Sequence, residues 1–243
     1  MSIRLGVNLD HVATLRQVRG GTTTYPNILE FVEMAKQAKA DQITIHLRED
    51  RRHIQDADVK NVIALGILPV NLEMAVTEEM TKIALKYKPQ YVCLVPEKRQ
   101  ELTTEGGLDV VKKKKQIAIL IKKLAAKNIR VSTFIAPNKK QVLASKEVGA
   151  FACEFHTGHW CLYQGAKKQK EWDKLEEAAQ YCHSLGLNVH AGHGLDYTTT
   201  KEILSLPHLE EVNIGHFLVC EALRVGMVES LKKMKEILSG HGS

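Results

Sequence analysis

Short apolar or β-branched runs alternate with helical patterns along the whole chain, and this alternation limits the available folds more than any other feature. The runs are Leu5–Asn8, Gln42–His46, Leu68–Glu73, Tyr91–Val95, Arg130–Ile135, Phe151–Phe155, Leu187–Ala191 and Glu211–Ile214, which read as eight strands. Helical patterns cover Asn27–Lys39, Ala57–Leu65, Thr77–Tyr87, Leu108–Lys127, Lys139–Glu147, Gln169–Leu185, Thr198–Leu206 and Phe217–Leu238. Pro207 stops the seventh, and Asn128, Gly149 and Gly186 stand where helix C-caps belong. Eight strand-helix units fill the 243 residues with no linker, composition shift or repeat, and Lys112–Lys115 is the one low-complexity tract. The pattern predicts an α/β fold, a (β/α)8 TIM barrel forming a single domain over residues 1–243, with a doubly wound open sheet as the alternative.

The composition supplies a core for such a fold: 44% of residues are hydrophobic and 26% charged, which excludes disorder and collagen-like order. No run of 18 apolar residues occurs, and Asp10 and His11 interrupt the place where a signal peptide carries its apolar stretch, so a cytoplasmic protein is expected. Five widely spaced cysteines, none in a C-x-x-C pair, read as reduced thiols that mostly fill the core. A net charge of +6 admits either a nucleic-acid surface or a site for small anions.

In a parallel barrel the strand C-termini share one mouth, so position there is the test of function. Strand 1 runs into Asn8, Asp10 and His11, strand 2 into His46 and Arg48, and strand 3 into Asn71 and Glu73. Strand 6 ends in Glu154 and His156, strand 7 runs into His193 and Gly194, and strand 8 into Gly215 and His216. Any one such histidine can be a solvated loop residue, but five of the eleven fall at this mouth. Imidazole serves as acid or base near neutral pH with little tuning. Glu73 lies in the apolar run Leu68–Ala75, where desolvation would raise its proton affinity.

A phosphate suits the positive charge. Gly215 and His216 open a long helix after strand 8, and the glycines of Ala191-Gly192-His193-Gly194 allow close backbone approach to an anion. The run Arg48–His53 and the pair Arg16 and Arg19 add cations, which can equally form a solvated ion-pair lattice.

Other signals carry less. Lys112–Lys127 is a basic helix, but Ile117, Ile119, Leu120 and Leu124 give it an ordinary core face. Cys161–Lys170, flanked by Trp160 and Trp172, reads as a mobile lid or a plain surface loop. His156, His159 and His193 invite a zinc reading, yet no carboxylate has recognisable ligand spacing, and His190 should lie inside strand 7.

Several blocks closely match one known family. They are Gly6-Val7-Asn8-Leu9-Asp10-His11, Thr44 through Ile54, Asn71-Leu72-Glu73-Met74-Ala75, Leu94 through Arg99, Thr103-Thr104-Glu105-Gly106-Gly107, His156-Thr157-Gly158, Ala191 through Leu195 and Asn213-Ile214-Gly215-His216. In these blocks, over nearly its whole length, the chain resembles the pyridoxine 5′-phosphate synthase family. The resemblance implies a homo-octameric barrel without cofactor or metal. It would condense 3-amino-2-oxopropyl phosphate with 1-deoxy-D-xylulose 5-phosphate to pyridoxine 5′-phosphate, inorganic phosphate and water. By the same resemblance His46 and Glu73 are general bases, His193 a general acid, and Glu154 a transition-state stabiliser. Asn8, Arg19, Gly194, Gly215 and His216 would hold the aminoketone phosphate, and Asp10, His11, Arg48, His53 and Thr103 the pentulose phosphate. The chain departs from the family pattern over His159–Lys170 and at His190, where Asn is usual.

The two readings agree. Two phosphates meet a basic mouth, the substrate's own amine replaces a Schiff-base lysine, and the remaining steps are proton transfers. The competing expectations are a metal-dependent hydrolase or aldolase using His156, His159 and His193, and a nucleic-acid module using the Lys112–Lys127 helix, although neither nucleic acid nor membrane is the expected partner.

Overall fold

Eight parallel strands pair in sequence order and close on themselves: β1 (Arg4–Asn8), β2 (Gln42–His46), β3 (Val70–Met74), β4 (Tyr91–Leu94), β5 (Arg130–Ile135), β6 (Ala152–His156), β7 (Asn188–Gly192) and β8 (Leu209–Ile214). The computed structural model describes residues 3–103 and 106–240 and, at position 99, the backbone alone. The ring closes where Arg4 pairs in register with Glu211 and Val7 with Ile214. The barrel, not the open sheet, is the fold.

Alternation along the strands sorts the side chains. Leu5, Val7, Ile43, Ile45, Leu72, Val92 and Leu94 are fully buried in the layer between strands and helices. Each such side chain contributes about 1.5–3 kcal/mol by leaving water. The other set, including Gln42, Thr44, Asn71, Cys93, Ser132, Glu154 and Asn213, is buried and polar and turns into the barrel. A barrel interior usually holds branched aliphatic residues. Here hydrogen bonds replace them: Gln42 donates to Glu211 at 2.7 Å, and Thr44 donates to Asn213 at 2.9 Å across the space beside Gly6.

The helices are α1 (Asp10–Gln17), α2 (Ile28–Gln37), α3 (Asp56–Leu65), α4 (Glu78–Tyr87), α5 (Val110–Ala125), α6 (Lys139–Glu147), α7 (Gly158–Leu162), α8 (Gly165–Ser184), α9 (Tyr197–Ile203), α10 (His216–Val225) and α11 (Met227–Leu238). The predicted C-caps hold, with φ of 60° at Asn128, 85° at Gly149 and 72° at Gly186. The expected Phe217–Leu238 helix is two helices, because Gly226 adopts φ 85° and ψ 152° between them. Helix α1 escaped the sequence pattern since, of its apolar side chains, only Val12 and Ala13 are buried.

Two further expectations change. The Cys161–Lys170 segment is neither lid loop nor plain loop: α7 and the start of α8 make it helical, with buried Trp160 packed on Trp172 at 5.6 Å. On α5, Ile119 points outward with 60% exposure, and Ile121 supplies the core contact instead. Two of its lysines are paired, Lys113 with the buried Glu101 and Lys114 with the exposed Glu147. Among the described residues no helix is long and apolar enough to cross a membrane.

Candidate active site

The strand C-termini open into one cavity of about 900 Å³, large enough for two small phosphorylated molecules. Asn8, Asp10 and His11 line it from the end of β1 and the start of α1, His46 and Arg48 from β2, and Glu73 from β3. Glu154 comes from β6, His193 and Gly194 follow β7, and Gly215 and His216 follow β8. Arg19 lies exposed beyond α1, and His53 and Thr103 lie outside the lining.

Asp10, His46 and Glu73 form the tightest group. His46 and Glu73 are register partners on adjacent strands, with His46 Nδ1 3.9 Å from Glu73 Oε2. Asp10 accepts the His46 main-chain N–H at 2.7 Å and the Asn8 side-chain amide at 3.1 Å. His46 Nε2 meets Glu97 Oε1 at 2.9 Å. Burial pushes Glu73 well above the ordinary carboxylate range, and Asp10 and Glu154 add to the rise. Burial also raises Asp10, to about 6, against the opposing pull of His46.

Glu154 sits below them in the barrel. It accepts the Asn213 amide at 2.9 Å and lies 3.8 Å from the Cys93 thiol. Burial, reinforced by Glu211, raises its carboxyl to about 8. Gly192 leaves the space this carboxylate needs, since a Cβ there would stand 2.3 Å from Glu154 Oε1.

Across the mouth His193 adopts φ 77° and stacks on His156, ring centroids 4.8 Å apart. The Thr157 hydroxyl fixes this turn by donating to the main-chain oxygens of Gly192 at 2.8 Å and His193 at 2.6 Å. Burial lowers the proton affinity of both rings. His156 falls to about 4 with help from His193 and His159, and His193 falls with help from His159.

The rim at β8 and α10 offers a place an anion could occupy. Gly215 caps α10, whose first N–H groups and dipole face the cavity, and His216 lies edge-on to His11 at 4.9 Å. The Arg48–His53 run divides in two. Arg51 pairs with Asp56 and Glu79, and Arg52 with Asp50, whereas Arg48 lines the cavity, its buried Nε making no hydrogen bond but lying 3.5 Å from Asp50 and its terminal nitrogen 4.0 Å from Glu97. Arg16 is committed to Asp58 at 2.6 Å, between α1 and α3, and does not reach over the cavity. His53 packs 6.2 Å from His46 and is driven down to about 4 by burial and then by His46 and Arg48.

The comparisons with known proteins then decide the family. Residues 5–240 match the model of the pyridoxal phosphate biosynthesis protein PdxJ. The chain belongs to the PdxJ family. It is 60% identical to the pyridoxine 5′-phosphate synthase of Bdellovibrio bacteriovorus over 236 residues, covering 97% of this chain and 98% of that one. It is 48% identical to that of Ruegeria pomeroyi, covering 97% and 96%. The resemblance of the motif blocks is thus borne out, and the chain is a biosynthetic enzyme. Among solved structures, KGPDC from Streptococcus mutans superposes with a TM-score of 0.68 at 11% identity, covering the whole of both chains, a likeness of fold alone.

In this PdxJ-family chain, Asp10, His46 and Glu73 each offer a ligand atom, all within 4.8 Å of one another. No such convergence joins His156, His159 and His193 among the described residues, where the first and last stack face to face. Glu97 was missed in the sequence although it lies just past strand 4, where the positional test applied to the other strands would have found it. Thr104 and Glu105 of the matched blocks lie outside the described residues.

Proposed function

We propose that this enzyme is a pyridoxine 5′-phosphate synthase, condensing 3-amino-2-oxopropyl phosphate with 1-deoxy-D-xylulose 5-phosphate and releasing inorganic phosphate and water. One observation carries the reading. A chain 60% identical to such a synthase gathers His46, Glu73, Glu154 and His193 around a single cavity.

The chemistry asks for protons to be moved repeatedly to and from carbon, nitrogen and oxygen. Glu73, whose proton affinity burial raises, takes up a proton more strongly than an exposed carboxylate once it is ionised, and His46 beside it accepts a second proton. His193 serves as the acid. Burial lowers the proton affinity of its ring, with His159 adding to the effect, and a phosphate dianion bound beside it would act in the opposite direction. Glu154, protonated near neutral pH, donates a hydrogen bond to developing negative charge. Gly194, Gly215 and His216, with Asn8 and Arg19, take the aminoketone phosphate, while Asp10, His11, Arg48, His53 and Thr103 take the pentulose phosphate. Arg48 lines the cavity with a buried Nε that makes no hydrogen bond, which supports that assignment.

The same reading carries a cytoplasmic homo-octamer. Exposed apolar side chains on and beside the neighbouring helices α1 and α10, with Val18 77% and Leu223 74% exposed, support association.

The test is an assay of purified, chelator-treated protein with both substrates, following the pyridoxine chromophore and inorganic phosphate. Equal appearance of the two is expected. Well-folded protein that makes neither overturns the reading, and activity restored only by added metal would move the chemistry to the Asp10, His46 and Glu73 group.

A further inference from the structure

A neutral imidazole is a base at one nitrogen only, and which one is fixed by the partner of the other. His46 Nε2 lies 2.9 Å from Glu97 Oε1. The second oxygen of that carboxylate accepts the Glu49 main-chain N–H at 2.9 Å, and the Glu97 side chain is only 4% exposed. An ionised carboxylate has no proton to give, so the contact requires Nε2 to carry the hydrogen. Burial favours the protonated acid, but the bonds from His46 and Glu49 outweigh it and hold Glu97 below its usual range. On the other side of the ring, Nδ1 is 3.9 Å from Glu73 Oε2, too far for a hydrogen bond.

We propose that Glu97 is the positioning residue of His46, locking the ring as the Nε2–H tautomer so that Nδ1, facing Glu73 in the cavity, is the proton acceptor. The assignment rests on the synthase reading for the reaction served. The ring position itself follows from the contacts.

The support reaches further back. Glu97 lies in the loop after β4, and its main-chain N–H and that of Lys98 both donate to Glu101 Oε2, at 2.9 and 3.0 Å. Glu101 is buried and paired with Lys113 on α5. The carboxylate that orients the base is thus anchored to the barrel's outer layer through a second carboxylate. Such partners commonly set the tautomer of a working histidine.

Glu97→Gln separates orientation from folding. The amide keeps the size of the side chain but has one oxygen. If that oxygen keeps the Glu49 N–H, the NH2 group donates to Nε2 and reverses the tautomer.

The test pairs ¹⁵N NMR of the His46 ring with steady-state kinetics. In the unsubstituted protein, without substrate, Nε2 is expected to be protonated and Nδ1 bare. In Glu97→Gln the signals should shift toward the opposite tautomer, and kcat should fall about 10²-fold while KM for both substrates stays within about threefold. A ring protonated at Nδ1 in the unsubstituted protein overturns the proposal, even if the variant does not fold. A folded variant whose ring signals have moved to the opposite tautomer but whose kcat stays within about threefold of the parent overturns it too. The NMR result needs no turnover, so it stands or falls separately from the synthase assay.

Discussion

Glu154 fills the space that any side chain at position 192 would need: a Cβ on Gly192 would lie 2.3 Å from Glu154 Oε1 and 3.2 Å from the Asn213 main-chain oxygen. The strands β6 and β7 therefore pass with one side chain where two would ordinarily stand. Gly192→Ala must displace the carboxylate from Asn213, its partner at 2.9 Å. With Glu154 in its proposed role, kcat should fall about tenfold or more, since a displaced group loses its alignment. Turnover of the soluble variant at saturating substrate checks this, and an unchanged kcat would show that Glu154 has no positional role.

Glu73→Gln removes a base without touching a phosphate contact. Activity should drop by about 10²–10⁴-fold, the usual contribution of a positioned base. Binding of a phosphate-bearing ligand by calorimetry should stay within about threefold of the parent, because Glu73 is not among the residues proposed to hold either phosphate. Retained activity would remove Glu73 from the mechanism.

Burial of these acids also shapes stability against pH. Burial raises the Glu154 carboxyl from about 4.5 to about 8 in the fold, so between those values the folded state holds more protons and stability falls as pH rises. Asp10, raised to about 6, acts in the same direction over a narrower window. His53 and His156, lowered to about 4 from about 6.5, act oppositely, and their contribution rises from pH 4 to about 6.5 and then levels. Stability should thus decline between about pH 6.5 and 8, where the acids act unopposed. Urea midpoints across that range should fall, and less steeply for Glu154→Gln. Parallel curves for the two proteins would contradict the raised value.

The alternation of strands and helices, the C-caps and the side chains at strand ends were legible because each depends on a few neighbouring residues. Where the reading failed, the deciding contact was distant or local geometry broke a pattern. Gly226 splits one amphipathic run by its backbone alone. Arg16 looked free until Asp58, far along the chain, took it. The polar interior was invisible because Gln42, Asn213 and Glu211 are unremarkable singly and become a network only when β8 closes against β1. Glu97 stood within reach of the positional test just past β4, but its role did not, since its partner lies on β2.

His216 tests the anion site independently of the proton chemistry. It is the first residue of α10, edge-on to His11 and within 3.6 Å of the Cys220 sulfur, so its ring is held at the helix N-terminus where an anion is favoured. A hydrogen bond to a charged group is worth about 1.5–3 kcal/mol, which corresponds to roughly ten- to a hundredfold in affinity. His216→Ala should therefore weaken binding of 3-amino-2-oxopropyl phosphate by about that factor, while kcat at saturation changes by less than about threefold, because a contact made equally in ground and transition states leaves turnover alone. Calorimetry with that ligand measures the first quantity and initial rates the second. An unchanged dissociation constant would take His216 out of the phosphate site, and a collapse of kcat at unchanged affinity would place it among the proton-transfer groups instead.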